Sequence, residues 1–214
     1  MAINNNHLKT PDGWLTATVE TICVQDVCVQ VNMPDAKEAA FYYGNLPEGE
    51  RHTGFWTRLW PSALALSEYI LSHRHLLHNK QVWEIAAGLG VPALLAARFA
   101  RHVIGSDNNE VAVHNMQLSA NENKFSNFET RVWDFTESNL RPACDVILIS
   151  DANYEGKLHQ PLSDLILDEI KKGRTVILSS PNRISGMGFL ETLLPFCIDR
   201  QITAGIGVFC FCHK

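Results

Sequence analysis

From residue 81 onward, short apolar runs alternate with longer amphipathic ones, and that rhythm leaves few folds open. Residues 145–150 read Asp-Val-Ile-Leu-Ile-Ser, a continuous apolar run of the kind buried on both faces of a sheet. Residues 174–179 read the same way. Shorter strand candidates are residues 81–86, residues 102–106 ending at Asp107, and residues 129–133. Between them, residues 92–100, 110–123, 158–172 and 187–194 carry apolar residues at helical spacing; Val113, Met116 and Ala120 share one face of the second. Residues 197–202 and 206–212 suit a closing hairpin. Strand alternating with helix implies an α/β, doubly wound, mostly parallel sheet with right-handed crossovers. Such a sheet holds its ligand outside the carboxyl ends of its strands.

The first part reads differently. Residues 15–31 are mostly β-branched and polar, with Gln25-Asp26 as a turn, and predict a strand pair. Residues 32–51, with Pro34, Gly44, Pro47 and Gly49, read as a loop region. Pro61 opens a helix to about His73, with Ala63, Leu66, Tyr69 and Ile70 at helical spacing. The expected organisation is one globular unit, with residues 1–58 a strand-and-helix cap region and residues 59–214 the main domain.

Composition narrows the function classes. The 214 residues are 46% hydrophobic and 19% charged, which excludes disorder and coiled coil. The net charge of -5, with no basic block, disfavours nucleic-acid binding by bulk electrostatics. No apolar run approaches the ~20 residues that span a bilayer, and the polar, Asn-rich first ten residues lack a signal peptide's apolar stretch. Cys23, Cys28, Cys144, Cys197, Cys210 and Cys212 form no CxxC pair and are expected to be reduced and structural, which places the chain in the cytoplasm.

The chemistry concentrates in Val82-Trp-Glu-Ile-Ala-Ala-Gly-Leu-Gly-Val-Pro92. A strand runs into Gly88-Leu89-Gly90 and a helix follows, so the backbone can approach a ligand closely. Asp107 closes the next strand about 20 residues on, where a ribose diol is held. Gly88-x-Gly90-x-x-Ala93 satisfies a dinucleotide fingerprint. Glu84, however, lies just before the turn, where a carboxylate repels a pyrophosphate and suits a cationic ligand. That favours S-adenosylmethionine (SAM) over NAD. Holding backbone N–H groups of the loop is the other role open to Glu84.

These residues resemble the seven-strand, class I SAM-dependent methyltransferases, and more narrowly their branch of protein-lysine methyltransferase-like proteins. The resemblance covers residues 55–212. Leu59-Trp60-Pro61-Ser62-Ala63-Leu64 is similar to the branch's Trp-containing segment and Val82–Pro92 to its motif I. Gly105-Ser106-Asp107 resembles the end of its second strand, residues 115–123 its Asn-rich helix, Trp133-Asp134 its adenine-side segment, and Asp151-Ala152-Asn153-Tyr154 its Asp-x-x-Tyr signature. Ala86 departs from the family pattern, which has glycine there.

The resemblance implies a seven-stranded Rossmann-like sheet and these roles. Glu84, Gly88 and Gly90 line the methionine moiety, Asp107 takes the ribose hydroxyls, and Asn108 lies beside the adenine. Trp133 and Asp134 flank the adenine, Ser150 and Asp151 face the sulfonium, and Trp60 closes the pocket. Asp151 orients the acceptor amine, Tyr154 walls the site or bonds the amine, and Asn182 or Arg183 touches substrate. No proline follows Asp151, unlike the Asn/Asp-Pro-Pro-Tyr/Phe motif of base methyltransferases, which argues against a nucleic-acid acceptor. The expected activity is SAM-dependent methyl transfer to nitrogen, with a protein lysine favoured by the resemblance. A small-molecule N- or O-acceptor is the rival, an NAD-binding oxidoreductase a less favoured one, and a SAM-binding module without turnover a third. His73, His75 and His78 read as a solvated helix end rather than a metal site, and His114 and His159 as surface residues. Trp14, Trp56 and Trp83 read as packing residues. No metal, membrane or nucleic-acid partner is expected, and a monomer is compatible with the sequence.

Overall fold

The computed structural model describes residues 5–10, 13–137, 140–182 and 187–213. The chain opens with strands β1 (Asn5–Thr10), β2 (Gly13–Val24) and β3 (Val27–Pro34), an antiparallel sheet in that order. Helix α1 (Ala36–Gly44), a run of 3₁₀ turns over Glu48–Thr57, and helix α2 (Pro61–Ser72) lead to the main sheet. Its elements are β4 (Gln81–Ile85), α3 (Val91–Ala96), β5 (His102–Asp107), α4 (Glu110–Glu122), β6 (Phe128–Val132), β7 (Val146–Ser150), α5 (Gly156–Lys171), β8 (Thr175–Pro181), α6 (Met187–Leu193), β9 (Cys197–Thr203) and β10 (Ile206–Phe211).

The seven strands lie in the order β6-β5-β4-β7-β8-β10-β9, with only β10 antiparallel to its neighbours. The chain builds outward from β4 through β5 to β6, then returns to β7 beside β4, with Ile85 opposite Ile149. That reversal opens a crevice above the carboxyl ends of β4 and β7, because the loops leaving them run in opposite directions.

Two-residue alternation builds two cores. Val82, Val146, Leu148, Ile177 and Val208 point to one face and pack with Leu66, Ile70, Leu94 and Met116 of α2, α3 and α4. Trp83, Ile85, Ile147, Ile149 and Leu178 point to the other and pack with Leu162, Leu165 and Ile166 of α5 and Phe189 of α6. Strands buried on both faces have no polar positions to spare, hence the uninterrupted apolar runs. Leu8, Leu15, Ala17, Val29 and Val31 of the small sheet belong to the first core, so the cap and the main sheet share one hydrophobic interior.

Helix α4 substitutes for a strand along the free edge of β3. Asn123 Oδ1 accepts from Gln30 N at 2.9 Å while its Nδ2 donates to the Gln30 carbonyl at 2.6 Å. Two residues on, Ser119 Oγ accepts from Asn32 N, and Asn115 donates to the Asn32 carbonyl. The asparagines of residues 115–123 thus satisfy backbone groups that a sheet edge otherwise leaves open.

Three expectations need correction. Residues 32–51 are not all loop: Asp35 Oδ1 accepts from Lys37 N and Glu38 N and caps α1, and Glu38 reaches Thr16 N at 2.7 Å. Asp35 followed three residues later by Glu38 is a helix-start signature that the flanking prolines and glycines masked. The six cysteines are not all reduced: Cys23 and Cys28 form a disulfide, because the β2–β3 register sets them directly opposite with Cα atoms 4.1 Å apart. Trp14 is not a packing residue; it is 62% exposed on β2. Among the described residues no helix is long and apolar enough to cross a membrane.

Candidate active site

A cavity of about 800 Å³ occupies the crevice, within the range of small-molecule and cofactor sites. Its floor is the turn from Ala86 to Val91 between β4 and α3. Asp107, Asn108 and Asn109 close one side, with Trp133 and Asp134 beyond them. Ser150, Asp151, Tyr154 and Glu155, after β7, close the other. Phe55, Trp56, Arg58, Leu59 and Trp60 roof it from the cap.

The turn is tightly built. Gly88 takes φ +56, and a methyl group there would sit 3.4 Å from the Trp56 Cα, so the roof rests directly on the glycine. Gly90 takes φ +70 and leaves room for Met116, whose Sδ would lie 2.5 Å from an added Cβ. Ala86, where the family pattern has glycine, holds φ +52, and Asp151 also holds φ +52. Left-handed backbone at a non-glycine residue costs on the order of 1 kcal/mol, and here both cases stand at strand ends facing the cavity.

Asp107 is 8% exposed and ties the site together. Its Oδ2 accepts from Gly88 N at 2.9 Å and its Oδ1 from Asn109 N at 3.0 Å. Burial pushes its carboxyl above the ordinary aspartate value, against the pull of those N–H groups. The Asn108 N–H also pulls on this carboxylate, which lines the cavity as an acceptor-only group suited to hydroxyl donors. Asp134 stands next along this side: burial pushes it up, but the Thr136 hydroxyl and N–H and the Asn108 amide outweigh that and hold it below the usual range.

Glu84 is fully buried beneath the turn and is not among the lining residues. Its Oε2 accepts from Ala93 N at 2.8 Å, fastening the first turn of α3, while Oε1 has no partner among the described residues. Burial pushes its carboxyl up to about 8. The carboxylate therefore works on the loop. Trp133 lines the cavity, with its indole N–H on the Leu140 carbonyl and its ring edge-on to Trp83. Asn182 is exposed, donates its N–H to the Gly205 carbonyl, and lies outside the cavity lining; Arg183 falls outside the described residues. His159 shares a hydrogen bond with the Asn153 carbonyl and packs on Phe189.

Sequence reasoning missed Phe55, Trp56 and Arg58. Trp56 donates its indole N–H to the Tyr43 hydroxyl at 2.8 Å, which anchors the roof to α1. The Phe55 ring meets Tyr154 edge-to-face at 5.3 Å and Trp60 at 6.0 Å, and Trp60 donates to the Phe55 carbonyl. The available signal was the density of aromatic residues over 55–60, immediately before the Trp60-Pro61 helix start. Tyr154 is pushed up to about 12, first by burial and then by Glu155, Asp107, Asp134 and Asp151. It is a neutral phenol, a wall and a donor.

Strand order, crevice and glycine turn define the class I methyltransferase architecture. The T. thermophilus 16S rRNA N2 methyltransferase RsmC, solved with AdoMet and guanosine, has the same fold at a TM-score of 0.69; the match covers 98% of this chain and 58% of that one at 14% identity. A family model described as lysine methyltransferase matches residues 47–193, and the chain belongs to that family. Its cofactor is S-adenosylmethionine, and the residues present fit it: a glycine floor, the Asp107 carboxylate lining the cavity beside it and a cavity of matching size. The family assignment displaces the nicotinamide reading. Histone-arginine methyltransferase METTL23 of Xenopus laevis is 34% identical over 46% of this chain and 45% of its own length. The human protein of that name is 29% identical over 64% of this chain and 75% of its own. The electron transfer flavoprotein beta subunit lysine methyltransferase of Xenopus laevis is 24% identical over 60% of this chain and 53% of its own. The chain thus spans about half the length of two of these three relatives.

Proposed function

We propose that this chain transfers a methyl group from S-adenosylmethionine to a nitrogen on a protein side chain, a lysine amine before others. The observation that carries the proposal is the mouth beside β7, where Phe55, Trp60 and Tyr154 wall a space lined by Asp151 and Glu155. Aromatic faces and carboxylates together attract a cationic, alkyl-stemmed side chain such as lysine. The names of the relatives, which cite histone-arginine and flavoprotein-lysine targets, support a protein nitrogen as acceptor.

When bound, the cofactor supplies an electrophilic methyl on a sulfonium. Asp107 takes the ribose hydroxyls, and Asn108 and Asp134 face the adenine. Asp151 receives the acceptor: its carboxylate accepts an N–H and turns the nitrogen lone pair toward the methyl. An amine of ordinary pKa near 10.4 arrives charged, and closure under Phe55, Trp60 and Tyr154 strips water and favours its neutral form. Asp151 or water would take the proton the charged amine sheds on entry, and the neutral nitrogen would then face the methyl group that the cofactor supplies. Positioning and exclusion of water are the protein's contribution.

The test incubates the protein with methyl-labelled cofactor and a proteome lysate, separates macromolecules from small molecules, and hydrolyses the labelled protein. Methyl-lysine is the expected label, and Asp151→Ala lowers its yield far more than it lowers cofactor affinity. Label confined to small molecules refutes the proposal, as does a parallel fall in yield and affinity.

A further inference from the structure

The methionine end of the cofactor carries a carboxylate, and in this site the glycine turn commits four of its N–H groups to the protein. Ala87 N donates to the Ser106 carbonyl, Gly88 N to Asp107, Gly90 N to the Ala87 carbonyl and Ala93 N to Glu84; residue 92 is a proline with no N–H. Of the turn's N–H groups, those of Leu89 and Val91 have no protein acceptor among the described residues and line the cavity, so they can take part of an anion's charge but bring no full positive charge to it.

The charged groups lining the cavity are Asp107, Asp134, Asp151, Glu155, Arg58 and Lys157. A carboxylate cannot go to the four acids. Lys157 is held by Glu155 at 2.8 Å. Arg58 remains: among the described residues no carboxylate pairs with its guanidinium, and only its backbone N–H is engaged, on the Phe55 carbonyl. It stands in extended backbone where the 3₁₀ run ends, between Trp56, which rests on Gly88, and Trp60, which walls the mouth.

We propose that Arg58, exposed and lining the roof of the cavity, binds the carboxylate of the cofactor's amino-acid moiety and so selects S-adenosylmethionine over adenosyl compounds that lack it. This rests on the cofactor reading above. A guanidinium matches a carboxylate with two parallel charged donors, which neutral backbone N–H groups do not supply.

Calorimetry on the full chain tests it with two probes, S-adenosylmethionine and its decarboxylated analogue, which keeps the ribose, adenine and sulfonium. The wild-type protein prefers the former by about tenfold or more, the worth of one charge-assisted pair. Arg58→Gln abolishes that preference while leaving the affinity for the decarboxylated probe and the melting temperature unchanged, and Arg58→Lys restores part of it. Equal losses on both probes, no loss on either, or no preference in the wild type overturns the inference. A defect seen only in the KM for a protein acceptor also overturns it and moves Arg58 to acceptor recognition. Wild-type protein that binds neither probe sinks the cofactor reading itself, a result distinct from all the others because it needs no variant.

Discussion

Glu84→Gln isolates the charge of a fully buried carboxylate while keeping its shape. In the wild type the carboxyl rises from the ordinary 4.5 to about 8, chiefly through burial, with Ala93 N pulling down and Asp107 pushing up. The folded protein therefore holds this proton more tightly than the unfolded chain does. The sign follows: stability from this group is complete below pH 4.5 and is lost as the pH climbs through 8. At 1.36 kcal/mol per pH unit, the interval from 4.5 to about 8 converts to about 5 kcal/mol of charge burial at high pH. A typical domain is stable by about 5–15 kcal/mol, so the effect is large enough to measure. The glutamine carbonyl still accepts from Ala93 N, and its amide occupies the place of the partnerless Oε1. Denaturant unfolding at pH 5.5, 7 and 9, followed through buried Trp83, is the assay. Relative to the wild type, the variant gains about 1.4 kcal/mol by pH 5.5 and several kcal/mol by pH 9, on top of any offset present below pH 4.5. A stability difference that stays flat across that range would refute the reasoning, since it would mean that no charge is being buried. The same construction makes the variant's affinity for S-adenosylmethionine and for adenosine change together, because Glu84 lies below the cavity.

Two further outcomes follow from close packing and from the ribose side. Gly105→Ala places a Cβ 2.3 Å from Met116 Sδ and 3.3 Å from Phe128 Cζ and costs about 1–3 kcal/mol; in a Met116→Ala background the added methyl costs less, and an equal penalty in both backgrounds shows that Met116 is not the obstacle. Asp107→Ala weakens S-adenosylmethionine at least about tenfold by calorimetry through the loss of charge-assisted hydroxyl contacts; unchanged affinity removes the ribose assignment.

The β-α rhythm from residue 81 was legible in the sequence because a parallel sheet buries both faces, and burial writes itself as runs such as Val146–Ser150. Gly88 and Gly90 were legible as a turn, since both take positive φ and lie against Trp56 and Met116, and strand order then brings Asp107 to the Gly88 N–H. Helix α1 escaped notice because its cap, Asp35, lies among turn-forming residues, and its partner on β2 is 22 positions away.

Local pattern determined which segments are strands and where the chain bends at the carboxyl end of β4. The tertiary structure alone decided what those segments face. It placed Glu84 under the loop on the Ala93 N–H, matched the asparagines of residues 115–123 to the edge of β3, set Cys23 against Cys28, and brought Phe55, Trp56 and Arg58 over the cavity. The physical reason is range. Periodicity and turn chemistry act over a few residues, whereas a roof, a desolvated carboxylate and a cross-strand pair exist only after distant segments pack and exclude water.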